Sequence, residues 1–119
     1  MSRCITIARR LPSQNNSHYR HWSHYAKERD LWFILLRGQL PPQQAVQEKV
    51  RLKIVSYRNR LVDFANLVGG AKPIPDCLQR LGYVVDDSPK WFDCSYEQIQ
   101  CPRVEERTEI HFLDRDESN

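Results

Sequence analysis

The chain reads as one α+β domain built around a small mixed sheet. Three features carry that reading. Short stretches alternate apolar and polar residues with a period of two, one long stretch places apolar residues three and four apart, and a second helical stretch is interrupted by glycine and proline. In chain order these give strand, helix, strand, helix, strand, strand. With 119 residues there is enough chain for one hydrophobic core and not for two, so residues 1–119 form a single domain.

Cys4 to Ala8 is the first strand, with Ile5 and Ile7 on one face and Thr6 and Ala8 on the other. Arg9 to Ser17 is a loop rich in turn formers and potential caps. From about His18 to Leu40 the spacing of Tyr25, Arg29, Trp32, Phe33 and Leu36 predicts a helix, ended by Pro41 and Pro42. Lys49 to Tyr57 alternates Val50, Leu52 and Ile54 against Arg51 and Lys53, a strand with one wet, basic face. Arg58, Asn59 and Arg60 follow as a basic turn.

Asn66 to Gly82 is the second helical region, its apolar side made by Leu67, Val68, Ile74, Leu78 and Leu81. Gly69-Gly70 and Pro73 with Pro75 both predict a break, with a short helix before the glycines and a firmer one starting at Pro73 or Pro75. Gly82 is the expected stop. Trp91 to Cys101 and Arg107 to Leu113 alternate again, and the expectation is that they pair as a hairpin across Pro102 to Glu106.

Charge and composition narrow the function. A formal net charge of +3 suits nucleic-acid binding without requiring it. The distribution says more: Arg9, Arg10, Arg20, Lys27, Arg29, Arg51, Lys53, Arg58 and Arg60 all precede an acidic run, and residues 114–119 read as an acidic, frayed tail. The apolar run Leu31 to Leu36 is far too short to span a bilayer, and the N-terminus lacks a secretory pattern, which predicts a cytoplasmic protein. The four cysteines show no CxxC pairing, so reduced, packed thiols are expected. No histidine falls at a zinc-ligand spacing from paired cysteines.

The acidic run itself holds Asp63, Asn66, Lys72, Asp76, Asp86 and Asp87. Asp63 lies at the mouth of a helix and Asp86-Asp87 follow that helical region, so a chain folding back on itself can bring them to one end. Carboxylates gathered this way repel unless a cation joins them, and Mg²⁺ meets that need while keeping waters for chemistry. Such an ion polarises a phosphodiester and activates a water, and Lys72 offsets charge developing on the phosphoryl group. The same residues have plain structural uses. Asp63 can cap a helix, Asp86-Asp87-Ser88-Pro89 can form a turn, Asp76 can sit in a helix's first turn, and Lys72 can be a solvated cation.

The run Arg60-Leu61-Val62-Asp63-Phe64-Ala65-Asn66-Leu67, then Gly70, Lys72, Asp76-Cys77-Leu78, Gly82 and Asp86-Asp87-Ser88-Pro89, resembles the core signature of the RusA family of Holliday-junction resolvases. That pattern is roughly D-x-D-N-L, a lysine, D-x-L, a glycine, then D-D-S or D-D-A. Leu11-Pro12-Ser13, Asn16 and Tyr19-Arg20-His21 likewise resemble the family's P-P-S-N-N-x-x-Y-R-H opening, so the resemblance spans nearly the whole chain. It implies an intertwined homodimer that cuts four-way DNA junctions by paired incisions with Mg²⁺, for which Mn²⁺ can substitute. Asp63, Lys72 and Asp87 then match the catalytic positions, and Asp63, Asp86 and Asp87 the metal ligands. Asn66 and Asp76 are auxiliary. Arg20, His21, Arg58, Arg60 and Lys90 are expected at the DNA.

Ala65 departs from the pattern, standing where the family has its central metal-binding aspartate. Two readings compete: Asp86, Asp76, Asn66 or water supplies the missing oxygen, or the chain binds junctions without cutting them. Among the aromatics, Trp22 is expected in the core, Trp32 and Phe33 in the core or a dimer interface, and one of Trp91 and Phe92 beneath the acidic site. His111 is expected on the sheet surface. No Ser-His-Asp or Cys-His constellation has supporting context, so covalent catalysis is not expected.

Overall fold

A computed structural model describes residues 3–12 and 22–113, with side chains in the second segment from Tyr25 onward. The elements run β1 (Arg3–Ile7), α1 (Trp22–Arg37), β2 (Val50–Arg58), α2 (Phe64–Ala71), α3 (Pro73–Leu81), β3 (Phe92–Gln100), a 3₁₀ turn (Arg103–Glu105) and β4 (Arg107–Leu113). The fold is α+β, with helices against one face of a four-stranded mixed sheet of order β1-β4-β2-β3. The start of the first helical stretch at His18, the opening motif from Ser13 to His21 and the tail 114–119 lie outside the described residues.

Alternation builds the sheet as the sequence predicts. Ile5 and Ile7 of β1, Leu52 and Ile54 of β2 and Thr108 and Ile110 of β4 are buried on the helical side. Trp32 and Leu36 of α1, Leu67 of α2 and Ile74, Cys77, Leu78 and Leu81 of α3 meet them in one cluster. Each fully buried aliphatic side chain there stabilises the fold by roughly 1.5–3 kcal/mol relative to exposure. Trp32 is fully buried, and its indole N–H donates to Glu28 Oε1 at 3.1 Å. Glu28 in turn accepts from Arg9 Nη2 at 2.8 Å, which joins the first strand's exit to α1.

The expected hairpin is not formed. β3 pairs parallel with β2, β4 pairs antiparallel with β2, and β2 therefore separates the last two strands. The reason lies in β2 and in the connection after β3. Val55, Ser56 and Arg58 of β2 are buried along with Leu52 and Ile54, so this strand has the environment of a central one. The 3₁₀ turn carries the chain around the end of β2, where Asn59 N–H donates to Glu106 Oε2 at 2.7 Å and Asn59 Nδ2 to the Cys101 carbonyl at 3.2 Å. A parallel β2–β3 pair needs a crossover, and α2 with α3 supplies it.

The glycines do not break the second helical region. α2 runs through Gly69 and Gly70 to Ala71, and Gly70 and Ala71 are both buried. The break comes at Lys72, whose N–H reaches back only to Gly69 O at 3.3 Å, and the next residue, Pro73, has no N–H to continue the ladder. Pro73 and Pro75 both sit in the first turn of α3. Gly82 ends it at φ 95°, ψ 10°, a left-handed position, and a Cβ there would lie 2.4 Å from the Gln43 carbonyl oxygen.

Candidate functional site

The break between α2 and α3 faces the turn before β3, and a cleft of about 420 Å³ opens between them. Its walls are Val68 and Gly69 of α2, Lys72 at the break, Pro75 and Asp76 of α3, and Asp87 of the turn, over a floor of Phe92, Cys94 and Tyr96 from β3. One ammonium and two carboxylates therefore share one cavity above a half-buried apolar and thiol surface. Burial pushes the Cys94 thiol up to about 11 and raises the Tyr96 phenol, so both floor groups are neutral at physiological pH.

Local structure sets each polar side chain. Asp76, in the first turn of α3, accepts a hydrogen bond at Oδ2 from the Tyr25 hydroxyl of α1. Burial first, then the bond to Asp76 and that carboxylate's charge, raises the Tyr25 pKa, which keeps the phenol a donor. Lys72 Nζ lies 5.5 Å from the centroid of the same Tyr25 ring, a cation–π arrangement. Asp86 does not line the cleft: its Oδ1 accepts from Ser88 N–H at 2.8 Å, and the Ser88 carbonyl accepts from Trp91 N–H at 3.0 Å and Phe92 N–H at 2.9 Å. The Ser88 hydroxyl and backbone N–H hold the Asp86 carboxyl below the usual carboxylate range. This turn is what presents Asp87 to the cavity.

Asp63 has a different position. It is the N-cap of α2, with Oδ1 accepting from Asn66 N–H at 2.9 Å and Oδ2 from Asn66 Nδ2 at 2.8 Å. Ala65 is exposed in the same first turn. Among the described residues, only Cys4, Glu109 and His111 bring three metal-ligand atoms within 4.8 Å of one another. Asp63, Asp86 and Asp87 are not gathered that closely, and the carboxylates that share a cavity with Lys72 are Asp76 and Asp87. Mg²⁺ holds most of its own waters and takes one or two protein carboxylates beside substrate phosphates, and the carboxylates lining this cleft are Asp76 and Asp87.

Of the basic residues expected at DNA, Arg58 is corrected. It is 2 % exposed, and its guanidinium donates to the carbonyls of Arg60 at 2.9 Å and Leu11 at 3.3 Å and to Ser56 Oγ at 3.3 Å. A side chain closed in by its own fold cannot also meet phosphates. Arg60 is exposed, and Lys90 is exposed with Nζ 5.0 Å from the Trp91 ring centroid. Arg20 and His21 lie outside the described residues. Phe92 is the aromatic beneath the site. Tyr25 was legible only as part of an apolar stripe, and its hydroxyl gave no sequence signal for a partner fifty-one positions away.

Comparison with models of known protein families and with curated proteins finds no match. Among the described residues no helix is long and apolar enough to cross a membrane.

Proposed function

We propose that this chain is a RusA-like, Mg²⁺-dependent DNA endonuclease that resolves four-way junctions as a homodimer in the cytoplasm. The observation that carries the proposal is the meeting of Lys72, Asp76 and Asp87 in one cleft, three positions the family resemblance also singles out. Magnesium, when bound, supplies Lewis acidity and a water of lowered pKa. Asp76 and Asp87 would hold the ion, and Tyr25 orients Asp76 through its hydroxyl. Lys72 meets the phosphoryl oxygens and offsets the charge that grows on them as the bond to the leaving group breaks. Asp86 keeps the turn that aims Asp87, while Asp63 and Asn66 fix the start of α2. Arg60 and Lys90 are exposed cations suited to the DNA backbone.

A second reading has its own support. Ala65 lies exposed two residues after Asp63, where the resembling family has a metal-binding aspartate, and this favours a junction-binding protein that does not cut. One experiment separates the readings: binding and cleavage of a four-way junction, with and without Mg²⁺ or Mn²⁺, for the chain, Lys72→Ala and Ala65→Asp. Metal-dependent product that disappears in Lys72→Ala supports the nuclease. Tight binding with no product, and product gained in Ala65→Asp, supports the non-catalytic reading.

A further inference from the structure

A second group of donors lies on the outer face of the sheet. The β1–β4 register sets Cys4 directly opposite His111, and strand alternation puts Glu109 on the same face, two residues before it. Cys4 Sγ is 3.7 Å from His111 Nε2, and that nitrogen is 3.1 Å from Glu109 Oε1. Glu109 is itself held by the Tyr57 hydroxyl, which donates to Oε1 at 3.3 Å, and by Arg107 Nε, 3.7 Å from Oε2. The partnership joins strands 107 positions apart in sequence.

Thiol, imidazole and carboxylate together serve either a nucleophile relay or a metal. A relay needs thiol and carboxylate on opposite ring nitrogens, so that one takes the proton while the other steadies the ring. Here both approach the same nitrogen. Three donors aimed at one point instead match cation capture.

We infer that Cys4, Glu109 and His111 form a surface site for a borderline-soft divalent cation of the zinc class, with water completing the tetrahedron. Sulfur and nitrogen donors select zinc over magnesium, so the site is chemically separate from the cleft and does not rest on the nuclease reading. As the S–Zn bond forms, the thiol proton leaves to solvent and the neutral imidazole gives its Nε2 lone pair. The bound ion ties β1 to β4, closing the first strand onto the last.

Titration of the metal-free full chain with Co²⁺ tests this. A thiolate-to-cobalt absorption band is expected to saturate at one equivalent, to fade on adding Zn²⁺, and to be lost in Cys4→Ser and in His111→Ala with circular dichroism unchanged. Tyr57→Phe, which only orients Glu109, is expected to weaken Zn²⁺ binding by roughly 10-fold, within the range for outer-shell partners. Zn²⁺ also raises the melting temperature of the chain and not of Cys4→Ser. Absence of the band, or Zn²⁺ affinity in Cys4→Ser equal to that of the unaltered chain, overturns the assignment.

Discussion

Replacing Asp63 separates two roles that one carboxylate can hold. In the fold it caps α2, with both oxygens engaged by Asn66, and α2 is only eight residues long with no acidic residue in its first turn. Asp63→Ala removes the acceptor for the Asn66 N–H, and loss of an N-cap costs about 1 kcal/mol, here without a large burial contribution because the site is exposed. Asp63→Asn keeps the acceptor for the Asn66 N–H, and loses the exposed bond from Asn66 Nδ2 together with the charge at the helix N-terminus, the charge being worth about 0.3 kcal/mol. For a chain of this size, 1 kcal/mol corresponds to roughly 3–5 °C in melting temperature. Thermal and urea unfolding without metal should therefore rank Asp63→Ala clearly below Asp63→Asn, which stays close to the unaltered chain. If both variants fall equally, or neither falls, the capping account is wrong. With stability so separated, junction cleavage by Asp63→Asn reads loss of the carboxylate with the backbone cap retained.

Gly82→Ala forces a Cβ against the Gln43 carbonyl at a left-handed φ, and unfolding experiments should show a loss of at least about 2 kcal/mol. A loss under half that value would contradict the strain. Arg58→Ala leaves the buried acceptors of Leu11 and Ser56, and the Arg60 carbonyl, without their donor and is expected to cost about 3 kcal/mol by urea unfolding. Arg60→Ala should leave stability unchanged and lower the salt slope of junction binding by about 1. Asp86 has its folded pKa lowered by Ser88, so its contribution to stability is present above the ordinary carboxylate range near 3.9 and is lost as pH falls below that and through the folded value. An NMR titration should find Asp86 below its usual range and Ser88→Ala moving it upward. No movement would sink the assignment.

Much of the fold was legible because burial is one-sided. β1, β4 and the helix-facing side of β3 alternate cleanly, and α3 is bracketed by Pro73 and Gly82, whose backbone demands are local. The β3–β4 hairpin was misread because a five-residue connection usually closes one. What decided otherwise was β2, whose pairing along both edges and the hydrogen bonds of Asn59 at its end are long-range facts. The glycine pair misled because propensity penalises glycine in a helix, yet α2 continues through both glycines with Gly70 buried, and the ladder stops only where Pro73 lacks an N–H. At the cleft, Lys72, Asp76 and Asp87 were legible as chemistry-bearing residues, yet the roles of the carboxylates were not. Asp63 and Asp86 satisfy backbone donors two or three residues away, and Tyr25 engages Asp76 only once α1 lies against α3. Likewise the Cys4–His111 pairing exists only through the β1–β4 register, which no local spacing encodes.

The most direct test places the ion. Mn²⁺ added to isotopically labelled protein broadens NMR signals near its binding site, and the account predicts that Lys72, Asp76 and Asp87 and their cleft neighbours Val68 and Gly69 broaden first. The effect should vanish in the Asp76→Asn, Asp87→Asn double variant while the remaining spectrum stays dispersed. Broadening centred away from this cleft, or unchanged in the double variant, would contradict the claim that these two carboxylates and one lysine form a metal–phosphate site.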